Sequence, residues 1–193
     1  MIPAANRYTA TLDASVLFPN MKRDLLLRFF EADLYRAQWT EAIQQEWLQN
    51  AIEKYPSNEA SLRRTDSLMR EHFDSAWVHE DNYAHFIDLV SLPDPDDRHV
   101  VAAAIAGAAD YIVTDNLKHF PDDALAKFGI EVGSADKFLS GTLEHYPQST
   151  LRILSDHRRG LRSEPGKSEY VMLLRQRGLP RLAAHVQANI DAI

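Results

Sequence analysis

Residues 92–116 read LPDPDDRHVVAAAIAGAADYIVTDN, and the order of signals in that stretch decides the fold. Two prolines stiffen a loop that carries Asp94, Asp96 and Asp97. The loop delivers Asp96 or Asp97 as the N-cap of a helix predicted over 98–108, with Val100, Val101, Ala104, Ile105 and Ala108 on its buried face. Its alanines permit close approach to a sheet. Residues 111–113 are a short, wholly apolar run, the pattern of a central strand in a parallel sheet. Thr114, Asp115 and Asn116 stand just past its end.

Working outward, 8–12 (YTATL) is a second buried strand, rich in aromatic and β-branched residues, and it ends at Asp13. A helix is predicted over 22–31, with Leu25, Leu26, Phe29 and Phe30 as its apolar face. A short strand over 34–39 follows. Thr40 then caps a helix that carries Ile43, Trp47, Leu48 and Ile52 on one side. Residues 57–73 form a polar, outlying helix, 76–79 a short strand, and 83–90 fit helix and strand equally. Beyond the central stretch come a helix over 123–128, a strand over 130–132, and a helix capped by Ser134 and ending near Gly141. This alternation indicates an α/β domain with a central, mainly parallel sheet flanked by helices. After His145-Tyr146-Pro147 only helices are expected, over 149–159, 168–177 and 182–192. The expected division is a domain of residues 1–141 and a small all-helical C-terminal extension, 142–193.

Composition narrows the chemistry. The chain has 193 residues and no cysteine, which excludes disulfides, zinc thiolates and thiol nucleophiles. The nucleophile elbow G-x-S-x-G, the phosphate loop G-x-x-x-x-G-K-[ST] and the dinucleotide fingerprint G-x-G-x-x-G are all absent. No run is long enough to span a bilayer, and the N-terminal MIPAANRYTA lacks an apolar signal core, so a cytoplasmic protein is expected. Net charge is −7 but unevenly spread: residues 137–193 hold nine basic against five acidic side chains. An acidic body with a basic tail fits a metal-dependent site beside a surface for a polyanion.

Four acidic positions stand where strands end or helices begin: Asp13, Glu46, the Asp94/Asp96/Asp97 group, and Asp115–Asn116. Open α/β sheets bind ligands beyond the carboxyl ends of their strands. Carboxylates gathered there repel one another unless a cation neutralises them. Mg²⁺ suits such a set, with Mn²⁺ as a substitute. A cluster of this kind fits phosphodiester hydrolysis, where a metal lowers the pKa of water and one carboxylate orients or deprotonates it.

At these residues the chain resembles the PIN-domain family, and within it the VapC-type toxin ribonucleases. LDASVLFP matches the family's first catalytic acid at Asp13, and Thr40 to Glu46 the second. DPDDRHVVAAAIAGAADYIVT matches the most diagnostic stretch, with Asp97 as the third acid. The resemblance covers roughly residues 8–140 by this coarse reading of elements. It implies that Asp13, Glu46, Asp97 and Asp115 bind metal. Ser15, Thr40 and Thr114 support them, and the substrate is structured RNA such as tRNA or ribosomal RNA. It further implies a cognate antitoxin and a homodimer. One departure stands out: Asn116 occupies the usual place of the fourth acid, with Asp115 one position early. Either Asn116 coordinates through its amide oxygen, or Asp115 swings in from the loop. Arg158, Arg159 and Arg162 in the tail are candidates to hold the RNA backbone.

Blander roles compete with these. Asp13 can form a turn, Glu46 can be a solvated helix residue, and Asp94 and Asp96 more naturally serve the loop and cap. Neither His99 nor His119 has an i,i+4 partner histidine, so both are expected at the surface. Trp39, Trp47 and Trp77 are expected in the core. Two other functions share some features: a phosphoacceptor receiver-like or silent RNA-binding domain, and a structure-specific DNA nuclease.

Overall fold

The computed structural model describes residues 8–193; most of MIPAANRYTA, the stretch read above for a signal core, lies outside them. In chain order the elements are β1 (Thr9–Leu12), α1 (Ala14–Leu17), α2 (Asn20–Glu31), β2 (Arg36–Gln38), α3 (Glu41–Lys54), α4 (Glu59–His72), α5 (Glu80–Tyr83) and α6 (Arg98–Ala106). They continue with β3 (Tyr111–Val113), α7 (Asp122–Ala126), β4 (Glu131–Gly133), α8 (Ala135–His145), α9 (Pro147–Gly160), α10 (Lys167–Gln176) and α11 (Pro180–Ala188). Short 3₁₀ turns at Pro95–Asp97 and Leu117–His119 flank α6 and β3.

The four strands form one parallel sheet in the order β2-β1-β3-β4. The expected α/β architecture is present. The two central strands are the two most apolar ones, and β3 is buried throughout. On α6, the five residues Val100 to Ala104 are fully buried, and the small alanines allow the close packing anticipated above. Gly107, at the end of α6, has a packing reason of its own. A Cβ there would stand 2.1 Å from the Gln38 side chain. That buried amide donates to Thr11 Oγ1 at 2.9 Å and to the Ala103 carbonyl at 3.2 Å, tying β2, β1 and α6 together.

Two expected elements differ. The strand over 76–79 shrinks to one parallel bridge, Trp39 to Trp77. A 3₁₀ turn at Asp74–Ala76 and α5 from Glu80 leave no room for more. Rings fill the space instead: Phe73 and Trp77 pack edge-on against Trp39 at 6.1 and 5.8 Å. Residues 83–90 resolve as the end of α5 and a 3₁₀ helix, Ala84–Leu89. Pro147 opens α9 rather than preceding a break, since a first-turn proline gives up no helical hydrogen bond.

The chain divides into two compact units. One comprises the described residues up to Pro19 together with Tyr35–Gly133 and contains the whole sheet. The other comprises Asn20–Leu34 and Ser134–Ile193, so α2 belongs with the C-terminal helices. This helical unit is pinned by two buried polar groups. Asp136 on α8 accepts from the backbone of Arg181 and Leu182, both at 3.0 Å. It thereby caps α11, whose own N-cap position is Leu179 with nothing to offer. His157 on α9 lies 3.2 Å from Asp24 on α2 and 2.7 Å from the Tyr170 hydroxyl on α10. No helix among the described residues is long and apolar enough to cross a membrane.

Candidate active site

Leu12 pairs with Val113, so the next rung of the sheet brings Asp13 beside Thr114. The Asp13 N–H donates to the Val113 carbonyl at 3.0 Å, and the carboxylate, 2 % exposed, turns back on its own chain. It caps α1, accepting from the N–H groups of Ala14 at 2.8 Å and Ser15 at 3.4 Å. Its Oδ2 also takes the hydroxyls of Ser15 at 2.6 Å and Thr114 at 2.7 Å. Those hydroxyls in turn accept from the loop after β3: Ser15 from the Asp115 N–H, Thr114 from the Asn116 N–H, both at 3.0 Å. A buried carboxylate supplied with donors in this way keeps one rotamer.

Thr40 caps α3 as expected, its hydroxyl accepting from the Ile43 N–H at 3.2 Å. Glu46 projects from the second turn of that helix with 45 % of its side chain exposed. Surrounding protein, then the charges of Asp13 and Asp97, push its carboxyl up to about 7. Each of the three acids thus comes from a different segment, and Glu46 feels the other two.

Asp97 does not cap α6. It occupies the N-cap position with helical backbone angles, φ −83° and ψ −4°, and makes no capping bond. A capping residue needs extended backbone, and the turn that starts at Pro95 has already bent the chain. Asp96 does not cap it either: Asp94 takes the capping role one turn earlier, accepting from the Asp96 N–H at 3.1 Å. The Asp97 carboxylate meets His119 Nδ1 at 2.7 Å instead. Burial raises the Asp97 pKa. The His119 hydrogen bond opposes this, the charges of Asp13 and Asp94 add to it, and the net shift is upward.

Neither histidine is the free surface residue expected. His119 keeps 25 % of its side chain exposed and lies 3.7 Å from Asp94 as well. It follows β3 in a 3₁₀ turn, just before the buried Phe120, and no periodic signal marks it. His99 Nε2 lies 3.9 Å from Glu46 Oε2, and burial lowers its pKa. Trp39 and Trp47 are core residues; Trp77 is half-buried, with the Arg70 guanidinium 5.1 Å from its ring. Asp115 and Asn116 are exposed. In the helical unit, Arg158 donates to the Pro165 carbonyl at 3.0 Å and Arg159 to Asp156 at 2.6 Å, while Arg162 is exposed.

Among the described residues no lysine or arginine pairs with Asp13, Glu46 or Asp97. Asp97 and Glu46 offer partly open carboxylate oxygens paired only with histidines among the described residues, and the buried Asp13 adds its charge to theirs. That donor set fits a hard divalent cation.

This sheet order, with acids after β1 and around the start of α6, defines a class. The chain belongs to the PIN-domain family: the family's PIN domain model matches residues 9–118, more than half of its length. A stretch of 35 residues is 63 % identical to a Mycobacterium tuberculosis (strain ATCC 25618 / H37Rv) protein named "Putative ribonuclease VapC50". The match covers 18 % of this chain and 21 % of that protein, so it spans about a fifth of the relative's length. No solved structure matches the chain.

Proposed function

We propose that this protein is a metal-dependent endoribonuclease, the toxin of a toxin–antitoxin pair, that cuts structured RNA such as tRNA or ribosomal RNA. The observation that supports this is that Glu46 on α3 feels the charges of Asp13 after β1 and Asp97 ahead of α6, while no lysine or arginine pairs with any of the three among the described residues. Membership of the PIN-domain family and the short segment shared with a protein named a ribonuclease support it. Asp13, Glu46 and Asp97 would hold Mg²⁺, or Mn²⁺ in its place, with Asp115 or Asn116 completing the set. When bound, the ion neutralises the phosphodiester and makes water a better nucleophile.

The chain's own residues do the rest. Ser15 and Thr114 hold the Asp13 carboxylate in place. Thr40 fixes the start of α3 and hence the helix that presents Glu46. One carboxylate of the set would orient the attacking water or take its proton. We assign the chemistry to residues 1–141 and a backbone-holding role to the extension, 142–193, through Arg158, Arg159 and Arg162. The protein partners are an antitoxin and a second copy of this chain, as the family resemblance implies.

The test is cleavage of folded RNA and of flap DNA, side by side in Mg²⁺, by the native chain and Asp13→Asn. The native chain is expected to cut RNA and spare the flap. The variant is expected to lose at least about a hundredfold in rate with its circular dichroism unchanged. Cleavage by Asp13→Asn at the native rate overturns the site. Preference for the flap replaces RNA with DNA as the substrate class.

A further inference from the structure

Asp97, one of the three acids, also belongs to a second group with two residues that the family resemblance does not assign, Asp94 and His119. Their donor atoms all lie within 4.8 Å of one another, and each residue is half-buried. His119 Nδ1 is 2.7 Å from Asp97 Oδ2 and 3.7 Å from Asp94 Oδ2. Neighbouring ligands around an octahedral ion with bonds of about 2.1 Å stand about 3 Å apart, between those two separations. A simple hydrogen-bonded lock accounts for the first distance but not the second. Asp94 splits its duties: Oδ1 caps the local turn, and Oδ2 faces His119 beyond hydrogen-bond reach. Two carboxylates share one imidazole, and no lysine or arginine pairs with either among the described residues.

Imidazole nitrogen suits transition ions, whereas Mg²⁺ prefers oxygen throughout. We propose that His119 is a nitrogen donor to the divalent-cation site, acting with Asp94 and Asp97, and that it selects Mn²⁺-like ions over Mg²⁺. The assignment rests on the metal-dependent nuclease proposed above. His99 receives no such role: it stands 3.9 Å from one oxygen of Glu46 and forms no ion pair with a second acid among the described residues.

The test titrates Mn²⁺ and Mg²⁺ calorimetrically into the full chain, into His119→Asn and into His99→Asn. Asparagine keeps an N–H for Asp97 but offers no ring nitrogen. His119→Asn is expected to weaken Mn²⁺ at least about tenfold and Mg²⁺ by less than about threefold. Electron spin-echo spectra of the Mn²⁺-loaded native chain are expected to show ¹⁴N modulation. It should vanish in His119→Asn and persist in His99→Asn. Equal losses for the two ions, modulation that survives in His119→Asn, or its absence from the native chain each overturn the assignment; the last does so even if the variants fail to fold. Mn²⁺ binding with the His119-dependent signal but no RNA cleavage removes the nuclease proposal and leaves the donor standing. Cleavage lost in Asp13→Asn, with Mn²⁺ affinity and modulation unchanged in His119→Asn, does the reverse.

Discussion

Thr114 sits at the centre of the polar network that fixes Asp13, donating to the carboxylate and accepting from the Asn116 N–H while fully buried. Replacing it by valine keeps the volume and removes both bonds. Thr114→Val is expected to cost about 1–3 kcal/mol of stability, because the buried Asp13 carboxylate loses a donor. RNA cleavage is expected to fall about tenfold or more, because a support of the carboxylate proposed to hold the metal is gone. Thermal unfolding and single-turnover rates measure the two separately; a stable, fully active variant removes the support role. At this scale the places of Asp13 and Asp97 were legible, since they stand at a strand end and a helix start that apolar patterning exposes. Their hydrogen-bond partners were not. Asp97 looked like a cap because sequence shows its position but not the backbone angles that Pro95 sets in advance. His119 was missed because a 3₁₀ turn has no apolar period to reveal which side chains point inward.

Elements with strong patterns formed where the sequence indicates: β3 spans YIV as expected, and α6 follows from VVAAAIA, starting at Arg98 as expected and ending at Ala106 rather than Ala108. Elements that depend on distant partners did not. The grouping of α2 with α8–α11 rests on neighbours more than a hundred residues away, and Gly107 reads as a helix end until Gln38 is seen beside it. The bridge from Asp24 on α2 through His157 on α9 is another such feature, and it carries a pH signature. Burial pushes the Asp24 carboxyl up, but the His157 hydrogen bond and charge, with Arg28, outweigh this and hold it below its usual value of 3.8. A lowered carboxyl pKa stabilises the fold fully above the unfolded value, and that contribution is lost as pH falls through the folded one. Asp24→Asn is therefore expected to melt below the native chain at pH 7. The gap should close on acidification below about pH 4. Melting temperatures from pH 7 to pH 2.5 check this, and a gap that stays constant with pH refutes the bridge as a charged contact.

Charge is the property of the whole molecule that bears on a polyanionic substrate. Residues 20–34 with 134–193 hold twelve basic and nine acidic side chains, whereas the rest of the chain holds nine and nineteen. If the proposed RNA substrate is right, its attraction comes mainly from the helical unit, because the net negative charge of the sheet-bearing unit repels phosphate. Within that unit most arginines near the α9–α10 turn are occupied: Arg158 binds a carbonyl and Arg159 a carboxylate. Arg162 and Arg177 differ. Both are exposed, both line one cavity with Met21, Asp24, His157 and Leu173, and neither has an ion pair among the described residues. An arginine free of partners can release a counterion when it meets a phosphate, and each such contact on single-stranded RNA adds about 0.7 to the salt slope. In the cleavage-silent Asp13→Asn background, Arg162→Glu with Arg177→Glu is expected to weaken RNA binding at low salt. It should reduce the slope of log K against log salt by about 1.4. Mn²⁺ affinity should stay unchanged, because the cation site uses neither residue. An unaltered salt slope would remove the RNA-holding role proposed for these arginines.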